Sequence, residues 1–120
     1  MLNKFLKFAF LFIFLVSFGL ALASETNGTV DSTYKYAWGE NLGWLNFGCT
    51  ECDVAITDTA ITGYAWSRQF GWINLAPTNG GVTNTSSGTL SGRAWGSNVG
   101  WIDFSAVTIN TSGEFLGYAT

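Results

Sequence analysis

Histidine is absent from this 120-residue chain, proline occurs once and cysteine twice. Without histidine, the usual proton shuttle and commonest metal ligand near neutral pH are missing. The two cysteines, Cys49 and Cys52, have no second Cys or His pair with which to complete a zinc site. Positive charge is scarce beyond the N-terminus, where only Lys35, Arg68 and Arg93 stand against eight acids. Nucleic acid, which is held by clustered Lys and Arg, is therefore excluded as a partner. The acids themselves are scattered: Glu40, Asp53, Asp58, Asp103 and Glu114 share no spacing that brings two carboxylates together for acid–base work. No calcium loop of EF-hand type is present. With no nucleophile–base pair in view, the expectation is a protein that is not an enzyme and carries no cofactor and no metal.

Long apolar runs are confined to one place. Lys4 and Lys7 precede an apolar stretch from Phe8 to Leu20, and Ala21-Leu22-Ala23 supplies a small-x-small cleavage site. This pattern predicts a helical signal peptide over 1–23, removed before Ser24. The run is short for a membrane span, which needs about 20 residues, and an uncleaved anchor is the alternative. Residues 24–33 are polar and are expected to form a flexible spacer.

The rest is dominated by what the chain has in excess, tryptophan and glycine. All six Trp lie in three copies of one pattern: Ala-Trp, four turn residues, then Gly-Trp, an aliphatic residue, Asn or Asp, and an apolar residue. The copies are Tyr36 to Phe47, Tyr64 to Leu75 and Gly92 to Phe104. Trp38, Trp66 and Trp95 open them, at intervals of 28 and 29 residues. Gly and polar residues between two β-prone runs read as a hairpin. A Val-led second half follows each copy, beginning at Val54, Val82 and Val107, with polar turns suited to αL or Asx conformations. The connection from Phe104 to Val107 is four residues shorter than its two counterparts, so the third strand is expected to run on through Ser105 and Ala106.

The fold expected is an all-β, antiparallel repeat domain over 34–120. It is built from about three 28-residue Trp-hairpin repeats, near 36–63, 64–92 and 93–117, with a truncated fourth at 117–120. A meander of stacked hairpins fits best, a small sandwich or barrel next, and a propeller poorly.

Two readings compete for the aromatic rings. The first makes Trp38, Trp44, Trp66, Trp72, Trp95 and Trp101 a repeat core, since large aromatics are mostly buried. The second makes the Trp and Tyr faces, Tyr64 among them, platforms for sugar rings, with Asn46, Asn74 and Asp103 beside them to bond hydroxyls. Burial is favoured here. Because Asn and Asp exchange at one repeat position, a structural hydrogen-bonding role is expected there rather than catalysis. Cys49-Thr50-Glu51-Cys52 reads as a loop disulfide in an exported chain. Asn27, Asn84 and Asn110 each open a glycosylation triplet.

Over about residues 34–120, Tyr64-Ala65-Trp66, Gly71-Trp72-Ile73-Asn74 and the Pro77 to Thr83 linker resemble the uncharacterised bacterial GYAW/GWINF-type repeat proteins. Lys35 in place of Gly, Leu45 of Ile, Arg93 of Tyr and Thr120 of Trp depart from the pattern. The resemblance implies a secreted or cell-surface repeat protein and brings no active residue with it. The function expected is a structural or adhesive element outside the cell, with carbohydrate binding as the alternative. Its partners would be cell-envelope glycans, other surface proteins, or a second copy recruited through strand edges. Contact with membrane is expected only through an uncleaved signal segment.

Overall fold

The computed structural model describes residues 24–120; the expected signal peptide lies outside them. Among the described residues there is no helix, and every strand pairing is antiparallel. Three Trp hairpins form one set of strands: β2 (Tyr36–Gly39) with β3 (Gly43–Asn46), β6 (Tyr64–Ser67) with β7 (Gly71–Asn74), and β9 (Ser91–Gly96) with β10 (Gly100–Asp103). The Val-led halves form the other set: β4 (Ala55–Ile56), β5 (Ala60–Thr62), β8 (Gly81–Thr83), β11 (Val107–Ile109) and β12 (Phe115–Gly117). The ladder runs β1-β4-β5-β8-β9-β7-β6-β3-β2, where β1 is Gly28–Thr29; β10 pairs with β9, and β11–β12 is a separate hairpin. Six-residue β9 belongs to both sets, pairing with β8 through Ser91–Arg93 and with β7 and β10 nearer its end.

The Trp hairpins close the same way each time. Gly39 pairs with Gly43, Ser67 with Gly71 and Gly96 with Gly100, leaving three-residue loops. Gly43, Gly71 and Gly100 have φ of +74°, +82° and +93°. This is the three-residue hairpin built on a turn and a left-handed glycine, a position where a Cβ would be strained.

A second glycine set joins the two halves of each repeat. Gly63, Gly92 and Gly117 have φ of +102°, +81° and +98°, and a Cβ there would meet the carbonyl oxygens of Asp53, Gly81 and Ala106. The strand thus bends sharply as it passes from a Val-led half into a Trp hairpin. In the first repeat Lys35 holds this place: its carbonyl accepts from Phe47 N at 2.8 Å, as Gly63 O does from Leu75 N at 2.9 Å and Gly92 O from Phe104 N at 3.0 Å.

The core follows from period-two alternation. Ala37 faces Leu45, Ala65 faces Ile73 and Ala94 faces Ile102 across their hairpins. Ala65, Ala94 and Ile73 are buried and join Val54, Ile56, Ile61, Leu75, Val82, Leu90, Val107 and Ile109 in one apolar cluster. Ala37 is exposed because β2 ends the ladder and no other described strand pairs beyond it. At the other end, Thr120 N donates to Asp103 O at 2.9 Å. Thr120 so stands to Asp103 as Trp66 stands to Asn46 and Trp95 to Asn74.

Three expectations are corrected. The six indoles are not the repeat core: each Trp follows the inward Ala or precedes the inward aliphatic residue, and neighbours on a strand face opposite ways. With Ala65 and Ala94 inside, the rings must lie outside, and they do. Residues 24–33 are not simply a spacer, because Gly28–Thr29 pairs with Ala55–Ile56 and Glu25 O accepts from Asn84 Nδ2 at 2.7 Å. Ser105 and Ala106 form a turn rather than continuing a strand, with Val107 N donating to Phe104 O at 3.0 Å.

Candidate functional site

The outward face of the Trp hairpins carries most of the exposed aromatic side chains among the described residues. Directly opposed strand positions place Trp38 against Trp44, Trp66 against Trp72 and Trp95 against Trp101. Their ring centroids lie 5.1, 4.9 and 4.9 Å apart, in edge-on or tilted pairs. Tyr36 and Tyr64 add a third ring to the first two pairs, edge-on to Trp44 at 6.3 Å and to Trp72 at 5.9 Å. Such pairs contribute about 0.5–1.5 kcal/mol each beyond area burial. The six residues remain substantially exposed, from 38 % for Trp66 to 63 % for Trp38.

The joints between repeats order these rings into rows. Asn46 pairs with both Tyr36 and Trp66, and Asn74 with both Tyr64 and Trp95. The rows are therefore Tyr36–Asn46–Trp66–Trp72 and Tyr64–Asn74–Trp95–Trp101, each displaced by two residues from the last. Arg93 takes the tyrosine's place in the third repeat, opposite Asp103.

Asn46, Asn74 and Asp103 do one job. Their Oδ1 atoms accept from the backbone N–H two residues on, at Gly48 (2.9 Å), Ala76 (2.9 Å) and Ser105 (2.8 Å). These Asx turns steer the chain off each hairpin. The bond from Ser105 N, then that from its side chain, and then the Arg93 charge hold the Asp103 carboxyl below its usual range. As sugar-binding groups, all three enter with that oxygen already engaged.

Two shallow hollows sit on the aromatic face, one for each long loop. Asn74, Pro77, Thr78, Asn79, Trp95 and Trp101 line one of about 420 Å³. Glu51, Tyr64 and Trp72 line the other, of about 350 Å³. The walls come from corresponding loops. Pro77–Gly80 closes with Gly80 N donating to Pro77 O at 3.2 Å, and Cys49–Cys52 closes with Cys52 N donating to Cys49 O at 3.1 Å. Cys49 and Cys52 form a disulfide. After these turns, Gly81 and Asp53 both take positive φ, Asp53 alone doing so among the described non-glycine residues. The hollow over Trp101 is tight at its base, since a Cβ on Gly80 would lie 2.8 Å from that indole.

Sequence reasoning brought Trp38, Trp44, Trp66, Trp72, Trp95, Trp101 and Tyr64 to notice but missed the loop walls, Glu51 and Pro77–Asn79. The available signal was the equal spacing of Phe47 to Val54 and Leu75 to Val82, which places corresponding loops beside successive hairpins. Among the glycosylation triplets, Asn84 is buried, its Nδ2 donating to Glu25 O and Thr57 O, both at 2.7 Å. No family model, curated protein or solved structure matches the chain.

Proposed function

We propose that this chain is an exported, non-enzymatic binding domain of the cell surface or extracellular space, and that its aromatic face holds carbohydrate. The observation that carries the reading is the exposure of all six indoles on one face, two of the three pairs bordered by hollows. Large aromatic side chains exposed together on one face mark an interaction site. Flat indole faces match the C–H face of a pyranose, and Glu51, Thr78 and Asn79 supply polar groups at the rims for hydroxyls. The Cys49–Cys52 disulfide supports an oxidising compartment. Adhesion to envelope glycans follows from the same surface.

The test is retention of the protein on insoluble cellulose, chitin and peptidoglycan, with tryptophan emission followed as soluble fragments of each are added. Retention on at least one and a blue-shifted emission are expected. Passage through all three, with unchanged emission, would remove the reading.

A further inference from the structure

Equivalent indoles repeat along this face with a step set by the strand register, and the step has a chemical counterpart. Trp72 on β7 and Trp101 on β10 are separated by two strand spacings across β9, because β9 pairs with both. Trp101 shares its row with Asn74, two residues beyond Trp72. Two steps of about 4.8 Å across the strands and two residues of about 3.4 Å along them place the two Cα atoms roughly 12 Å apart. The same register relates Trp44 to Trp72 through Asn46 and Trp66. Three outward indoles thus stand in series, two of them walled by the Glu51 and Pro77–Asn79 loops.

We infer that the face binds an extended, neutral β-1,4-linked glycan along the series Trp44, Trp72 and Trp101, with one disaccharide per repeat. This rests on the carbohydrate reading above and adds the ligand's shape. In such a chain the equatorial linkages make a ribbon in which alternate rings present the same face. Its repeat is a disaccharide, whose length is close to the step between indoles. A single sugar engages one indole; a longer chain engages the next without a second loss of translational freedom. Charge argues for a neutral chain. The described residues carry eight acids against three cations, and Glu51 stands at the rim of one hollow. After the third hairpin β10 passes to β11 through the tight turn at Ser105 and Ala106, in place of the long loops that wall the two hollows.

The experiment is calorimetric titration with cello- and chito-oligosaccharides of two, four and six units; the two series separate a bare pyranose from one needing an N-acetyl group. Affinity is expected to rise about tenfold or more from two units to six at a stoichiometry of one glycan per protein. Trp101→Ala should lower the six-unit ligand to about four-unit affinity, since Trp44 and Trp72 remain in series. Because that substitution removes a cross-strand partner, Thr78→Ala with Asn79→Ala is the companion variant; it alters only exposed loop residues and should also reduce the gain with length. Equal affinity for two and six units overturns the serial arrangement while leaving carbohydrate binding in place. No heat with any member of either series overturns the serial proposal. If the insoluble polysaccharides also fail to retain the protein, the carbohydrate reading falls with it.

Discussion

The Arg93 guanidinium lies over the Trp101 ring, 5.3 Å from its centroid. In the earlier repeats Tyr36 and Tyr64 pack edge-on against Trp44 and Trp72 from that place. A cation over an indole and a phenol edge against one both use the negative face of the ring. The third repeat thus departs from the pattern in residue type while keeping the contact.

Arg93→Ala should therefore cost about 0.5–1 kcal/mol, the range for an exposed cation–π pair. Arg93→Tyr should restore most of it. Urea denaturation of the two variants checks this, and an equal loss in both would show that the charge, not the contact, matters.

Position relative to the strand faces sets the ranking of core and surface substitutions. Ile73→Ala, at a buried site, should cost about 2–5 kcal/mol. Trp66→Ala removes a larger side chain but one that is part-exposed and paired across the hairpin, so about 1–2 kcal/mol is expected. If Trp66→Ala proved the worse of the two in denaturant melts, the assignment of the indoles to the outer face would be in error.

Gly92→Ala should be among the most damaging single-methyl changes in the chain. Its positive φ alone makes alanine cost about 1–3 kcal/mol, and the added Cβ meets the Gly81 carbonyl oxygen. Thermal melting should show a clear drop in Tm, whereas Gly48→Ala, at an ordinary φ and meeting the Lys35 side chain at its Cβ and Cδ rather than a backbone carbonyl, should show a smaller one.

Acid should loosen the turn after the third hairpin more than its counterparts in the first two repeats. The Asp103 carboxyl is held below its usual range first by the Ser105 N–H, so its folded-state pKa lies below its unfolded value. The stability it contributes is present above the unfolded pKa and is lost as pH falls through the folded one. In the first two repeats Asn46 and Asn74 hold the same turn without titrating. Amide exchange at Ser105 should accelerate below about pH 4 relative to Gly48 and Ala76, and Asp103→Asn should abolish that difference.

Removing the disulfide should leave the fold intact. The closed loop is short, and chain-entropy arguments limit its contribution to about 2 kcal/mol. The Pro77–Gly80 loop makes the same turn with no covalent link. Cys49→Ser with Cys52→Ser should keep the β-sheet circular dichroism and lower Tm modestly; an unfolded product would contradict the equivalence of the two loops.

The sequence alone determined the repeat, because the Trp spacing and the turn glycines are local features that need no knowledge of the partner strand. It determined the all-β, antiparallel character for the same reason, since connections this short cannot carry parallel crossovers. A structural hydrogen-bonding role shared by Asn46, Asn74 and Asp103 was legible in their interchange at one position, and the Asx turn that performs it came from the structure. Which face of each hairpin turned inward was not. Alternation divides Ala65 and Ile73 from Trp66 and Trp72, yet either set is apolar enough to be a core. Packing decided it. Ala65 is fully buried, and the apolar side chains of the Val-led halves, Ile61 and Val82 among them, share one cluster with it, so the indoles were left outside. The hollows were likewise tertiary, because each is made when a loop from one repeat comes to lie beside the rings of the next, a proximity that inter-repeat strand register alone creates.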